Sequence, residues 1–212
     1  MTPPPSILTE FKRRLAARGW MPATSGNLSL KVGGDPLTFW VSVSGRDKAV
    51  DKADDFIQVV WAGGKLERKG GPAADPRKPS AEAKVHGRIY EATDAGCVLH
   101  VHTLPAALLS KLCPGDILQF QGLELIKAFG MWEEDAVLTV PLASNPADFD
   151  ALARAVAGAI CEGVPGVLVR GHGLYAWGAD GPAAIRHLEA FEFLFAYAVE
   201  ALKLTGETPW PS

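Results

Sequence analysis

Two histidines, His100 and His102, stand two residues apart in the apolar run CVLHVHTLPA (97–106). Side chains of a strand alternate between its faces, so both imidazoles point the same way, at a spacing that suits two ligands of one cation. His172, inside VLVRGHGLYAW, is the candidate for the third ligand. Glycines on both sides of it let the backbone bend at a strand end and remove side-chain bulk around the ring. Three neutral imidazoles with an open coordination position are the arrangement of a catalytic zinc, which polarises a substrate oxygen as a Lewis acid. Taken alone, an HxH pair also fits core histidines bonded to backbone carbonyls. The other histidines, His86 and His187, fall on expected helices. His187 flanks an apolar stripe and reads as structural. His86 follows Glu82 by four residues, so the two share a helix face and could both look into a site, although a hydrogen-bonded helix histidine is the simpler reading.

Three polar turns could hold an anion near such a metal: Thr24, Ser25, Gly26 and Asn27; Ser44 and Gly45 with Lys48 behind them; and the stretch 78–82, which contains Ser80 and Glu82. Each joins small hydroxyl or amide side chains to a glycine or an expected helix start, so that backbone N–H groups can converge on a phosphate. A helix opening at Ser80 adds a favourable dipole. Any one of them is an ordinary turn; three in one chain favour a phosphorylated substrate.

The elements that must position these residues follow from periodicity. Ser6 is expected to cap a helix running to Arg18, with Gly19 as its stop. Strands are expected over 28–32 and 37–45, joined by a hairpin at GGDP, then over 56–61. Residues 70–79 read as a loop, Ser80 opens a helix, and 97–102 is a strand followed by a short helix near Pro105. The segment LELIKAFG (123–130) is ambiguous between strand and helix, and 136–142 is a strand ending at Pro141. Asn145, Pro146 and Asp148 start a helix extending to Gly163, 166–171 is a strand, and a last helix spans 182–204. Its stripe of Ile185, Leu188, Glu192, Phe195, Val199 and Leu202 is core or a subunit contact. Short strands interleaved with helices suggest a mixed sheet with helices on both faces.

Composition bounds the rest. The 212 residues contain nothing that resembles a linker and read as one domain, 1–212. With 48% hydrophobic and 21% charged residues the chain can bury a large core, and a net charge of -3 supplies no electrostatic footprint for nucleic acid. Lys12, Arg13 and Arg14 read as a solvated helix face. The three cysteines, Cys97, Cys113 and Cys161, form no CxxC pair, so neither a disulfide framework nor a thiolate zinc site is implied, and a reducing cytoplasm fits. The absence of a long apolar run speaks against a signal peptide or membrane span. No serine lies in a GxSxG elbow, which leaves a serine hydrolase poorly supported.

The ordered series ATSGNLSL, VSVSGRDK, KPSAEAKVHGRIY, VLHVHT and VLVRGHGLYAWG resembles the class II aldolase family, a zinc-dependent group of aldolases, epimerases and dehydratases. The resemblance covers most of residues 20–200. It implies an α/β fold with a central, largely antiparallel sheet between helix layers. It also implies one zinc per subunit on His100, His102 and His172, and a homotetramer with sites at subunit interfaces. Glu82 occupies the place of the aldolases' acid/base glutamate. The segment GLELIKAFG is similar to the dehydratase branch, which implies Glu124 as catalytic acid/base, with Glu82 second choice, and a phosphorylated ketose as substrate. Leu123, Leu125 and Ile126 suggest a buried setting for Glu124, which would raise its pKa. An aldolase or 4-epimerase reaction on another sugar phosphate is the alternative.

Overall fold

The computed structural model describes residues 4–71 and 76–211. Among the described residues nine strands form one sheet: β1 (Asn27–Gly34), β2 (Leu37–Ser42), β3 (Phe56–Ala62), β4 (Lys65–Arg68), β5 (Cys97–Val101), β6 (Ile117–Gln121), β7 (Val137–Ala143), β8 (Gly166–Val169) and β9 (Leu174–Gly178). Their order across the sheet is β4-β3-β2-β1-β5-β9-β8-β7-β6. Every neighbouring pair is antiparallel except β7 and β8. A parallel pair needs a crossover, and helix α4 (Phe149–Gly158) lies between these two strands in the chain.

Helices α1 (Ser6–Ala17), α3 (Leu104–Leu112) and α5 (Gly181–Thr205) cover one face of the sheet; α2 (Ala83–Ala92) and α4 cover the other. The central strands therefore have no solvated face, which is why β5 and β9 read as almost unbroken apolar runs. Along β5, Leu99 and Val101 join the α1/α3/α5 core while Val98 joins the α2/α4 core; along β9, Leu174 and Ala176 alternate in the same way with Tyr175 and Trp177. His100 is in register with Asn27 on β1 and Tyr175 on β9. It shares the α2/α4 face with Val98.

Several expected boundaries move. Ser6 is the first residue of α1 and caps nothing, because Pro5 stands at the cap. Lys12 does not lie on a solvated face: it is 1% exposed, and its Nζ donates to Asp55 Oδ2 at 2.5 Å, Val50 O at 2.8 Å and Asp51 Oδ1 at 2.8 Å. Acidic partners in residues 51–55 take in a charge that spacing alone assigned to water. Helix α2 begins at Ala83 rather than Ser80, whose backbone N–H is drawn to Ser42 O and whose Oγ accepts from the Glu82 N–H. Pro141 does not end β7. It pairs with Ile117 at the end of the β6 ladder, where a missing N–H costs little, and the strand continues to Ala143. Helix α4 stops at Gly158, with Gly163 (φ 76°) in the following turn. Segment 124–129 is a short 3₁₀ helix, and β4 and β6 are strands the periodicity did not reveal. The loop expected over 70–79 lies partly outside the described residues. No helix among the described residues is long and apolar enough to cross a membrane.

Candidate metal centre and anion cavity

His100 is the last residue but one of β5 and His102 follows the strand's end at Val101, so strand alternation brings both rings to the α2/α4 face. His102 is held by its backbone N–H, which donates to Trp20 O. The turn between β8 and β9 returns His172 to the same place: its N–H donates to Val169 O, with Gly171 at φ 60°. Gly173 has to be glycine, since a Cβ there would lie 2.2 Å from Val101 O and 3.1 Å from His100 Cε1. Glu82, one residue ahead of α2, reaches the same point. One ligand atom from each of Glu82, His100, His102 and His172 lies within 4.8 Å of all the others.

The donor chemistry fits a metal ion. His100 Nδ1–H donates to Leu174 O at 3.0 Å, which leaves the Nε2 lone pair facing the cluster. That Nε2 is 2.9 Å from His102 Nε2 and 3.4 Å from Glu82 Oε2, and His172 Nε2 is 3.0 Å from Glu82 Oε1. Four tetrahedral ligands ~2.0–2.1 Å from a zinc ion sit ~3.3–3.4 Å apart, close to these separations. Tyr175 stacks on His100 with ring centroids 3.9 Å apart and fixes its plane. Burial pushes His100 well below the ordinary histidine pKa and His102 down to about 4, the direction that favours the neutral ring a metal ligand must have. Burial acts to raise the Glu82 pKa, but His100, His172 and Asn27 outweigh it and hold the carboxyl well below the usual range. His172 Nδ1 is buried without a partner.

Beside the cluster lies a cavity of about 350 Å³ lined by Thr24, Ser25, Gly26, Asn27, Ser44, Gly45, Lys48, Ser80, Glu82 and His102, among others. The structure thus gathers Thr24, Ser25, Gly26, Asn27, Ser44, Gly45, Lys48 and Ser80 from the three polar turns next to Glu82 and His102 of the cluster. Gly26 (φ 73°) approaches His100 so closely that a Cβ would lie 2.9 Å from its carbonyl oxygen. Lys48 Nζ donates to Thr24 O at 3.1 Å and Arg46 O at 2.9 Å, and burial lowers its pKa. Ser25 Oγ is buried with no partner. Asn27 lines the cavity, but its amide is already engaged: Nδ2 donates to Glu82 Oε2 at 2.5 Å and Oδ1 meets His86 Nε2.

Glu124 is not in this cluster. Its side chain is 79% exposed on the 3₁₀ helix, and both carboxylate oxygens accept from Lys127 Nζ at 2.9 Å. The buried setting expected for it is corrected: Ile126 takes the inward position of that turn. His187 is structural, its Nδ1 meeting Trp177 O at 2.7 Å. Ser29, Tyr90 and Tyr175, which line up behind the imidazoles and His86, carry no motif signal. Strand parity from His100, once β1 and β9 are known to flank it, points to Ser29 and Tyr175, and Tyr90 lies one helical turn beyond His86 on α2.

On one largely antiparallel sheet, a histidine-carboxylate cluster able to hold a metal ion thus stands beside a polar cavity. The Class II Aldolase and Adducin N-terminal domain family matches residues 7–199, and the chain belongs to it. Within that family it is 48% identical over 194 residues to methylthioribulose-1-phosphate dehydratase of Bacillus subtilis (strain 168), covering 90% of this chain and 89% of the relative. It is 46% identical to the enzyme of the same name from Persephonella marina, covering 91% and 87%. Among solved structures, l-fuculose-1-phosphate aldolase from Thermus thermophilus shares the fold at 22% identity, with a TM-score of 0.72 over 95% of this chain and 96% of that one.

Proposed function

We propose that the chain is a single-domain, zinc-dependent dehydratase that converts 5-methylthioribulose 1-phosphate to 2,3-diketo-5-methylthiopentyl 1-phosphate and water, a step of methionine salvage. The observation that carries this is the convergence of three imidazoles and Glu82 beside a cavity built from backbone turns and Lys48. The pairing suits a substrate with a ketone at one point and a phosphate a few atoms away. The dehydratase relatives select among the reactions such a site serves, and the ELIKAFG segment supports the same choice.

A divalent ion held by His100, His102 and His172 supplies Lewis-acid polarisation of the ketone oxygen. Thr24, Ser25, Gly26, Ser44, Gly45, Lys48 and Ser80 bind the phosphate, and Asn27 contributes through the backbone of its turn. Dehydration then needs a base for the C3 proton and an acid for the departing C4 hydroxyl; the enol left behind rearranges to the diketone. Glu124 is the acid/base and Glu82 the carboxylate that orients groups at the centre. Exposed on its own chain, Glu124 acts at the site of a neighbouring subunit in a homotetramer, which the solvent-facing apolar side chains of Trp132, Phe193 and Tyr197 support. Three unpaired cysteines suit a cytoplasmic setting. The test is to incubate the zinc-loaded protein with methylthioribulose 1-phosphate and, separately, with fuculose 1-phosphate. Diketone from the first supports the proposal; carbon-carbon cleavage of the second, with the first untouched, replaces it by an aldolase.

A further inference from the structure

Behind Glu82 a chain of buried polar side chains runs into the α2 layer, and the chemistry of its members fixes which way every proton points. Asn27 Nδ2, which can only donate, bonds to Glu82 Oε2 at 2.5 Å. Asn27 therefore turns Oδ1 toward His86, and because that oxygen only accepts, His86 Nε2 carries a hydrogen. The ring is fully buried and burial pushes its pKa down to about 3, so it is neutral and its Nδ1 is an acceptor. Ser29 Oγ, 2.6 Å from Nδ1, donates to it, and the Tyr90 hydroxyl, 2.6 Å from the same oxygen, donates to Ser29. All the hydrogen bonds run in one direction, from Tyr90 to the Glu82 carboxylate.

We propose that His86 is a positioning residue for the metal centre: its Nε2–H holds the Asn27 amide with the N–H toward Glu82, aiming the carboxylate at the three imidazoles. In the other tautomer, the His86 lone pair would face Oδ1 and the amide would turn over, placing its oxygen against the carboxylate. His86 touches neither the imidazoles nor the anion cavity, and it acts only through Asn27. The inference rests on reading the cluster as a metal centre, and a partner of this kind is the sort whose loss weakens metal binding or activity by about 10–100-fold.

The test compares His86→Leu, which has no donor, with His86→Gln, whose amide can donate in place of Nε2. Titration of the metal-free proteins with Zn²⁺ alone is expected to show binding weakened by about 10–100-fold in the leucine variant and largely restored in the glutamine variant. In turnover assays kcat falls while KM changes little. Nitrogen-15 NMR of the metal-loaded wild-type protein is expected to show His86 protonated at Nε2 only. Wild-type Zn²⁺ affinity in a folded leucine variant overturns the proposal. If that variant does not fold, a wild-type His86 protonated at Nδ1 overturns it instead. These readouts need no substrate, so failure to form the diketone strikes the proposed reaction and leaves this result standing.

Discussion

Glu82 and Glu124 occupy opposite circumstances in one chain. Glu82 is enclosed by three elements, bonded through Asn27 to a buried network, and set among three imidazoles whose own backbones are pinned by ladder and turn hydrogen bonds. Glu124 stands in solvent on a single 3₁₀ turn with a lysine three residues away as its partner. An exposed pair of that spacing contributes roughly 0–1 kcal/mol, so nothing on this subunit fixes Glu124 firmly. The contrast separates a centre complete within one subunit from a group that acquires a defined position only when something packs against it.

The largest effect should come from breaking the complete region. His102→Ala removes one of three imidazole ligands, and turnover is expected to fall to that of metal-free protein, with metal analysis showing loss of the bound ion. Next is Glu124→Gln, expected to keep its metal and lose about 10²–10⁴-fold in kcat, the usual share of a positioned acid/base. The two can be played against each other. Each variant alone is inactive, but co-refolded mixtures should regain activity, because some sites then combine intact histidines from one subunit with Glu124 from another. No recovery in mixed oligomers would make both regions parts of a single-subunit site and remove the distinction.

A third prediction concerns stability at the edge of the sheet. Lys12→Leu leaves Asp55 buried without its cation, and breaking a buried pair from one side costs roughly 3–5 kcal/mol. Denaturant unfolding should register that loss without change in bound metal, since α1 lies on the opposite face of the sheet from the imidazoles.

How far the sequence discloses these regions depends on how local their causes are. The HxH pair is legible because strand parity is a one-residue rule, and the polar turns because Gly26 and Gly45 mark positive φ. Strand β6 is not legible: Ile117–Gln121 has only a modest alternation, and its pairing with β7 arises from tertiary packing. Local spacing misplaces Lys12 for a related reason, its partners being 38 to 43 residues away. Ser29 and Tyr90 are ordinary residues until β1 is set beside β5 and α2 above both. The exposure of Glu124 escapes the local pattern because neighbouring leucines and Ile126 show an apolar segment without showing which residue of a 3₁₀ turn faces inward.

The smallest effect expected also tests whether a buried carboxyl must belong to the site. Glu192, on the apolar stripe of α5, is 4% exposed, and burial pushes its pKa from 4.5 up to about 7, with Thr103 opposing the shift. The folded protein therefore holds a proton that the unfolded chain has released between pH 4.5 and 7. Stability from this group is present below pH 4.5 and declines as pH rises to 7, beyond which the ionised carboxylate imposes its full cost. At 1.36 kcal/mol per pKa unit that cost is at most about 3 kcal/mol. Glu192→Gln should gain up to that amount over wild type in denaturant midpoints at about pH 8 and nothing near pH 4. A pH-independent difference between the two proteins would show that Glu192 titrates alike in the folded and unfolded chain, and that its burial in α5 shifts nothing.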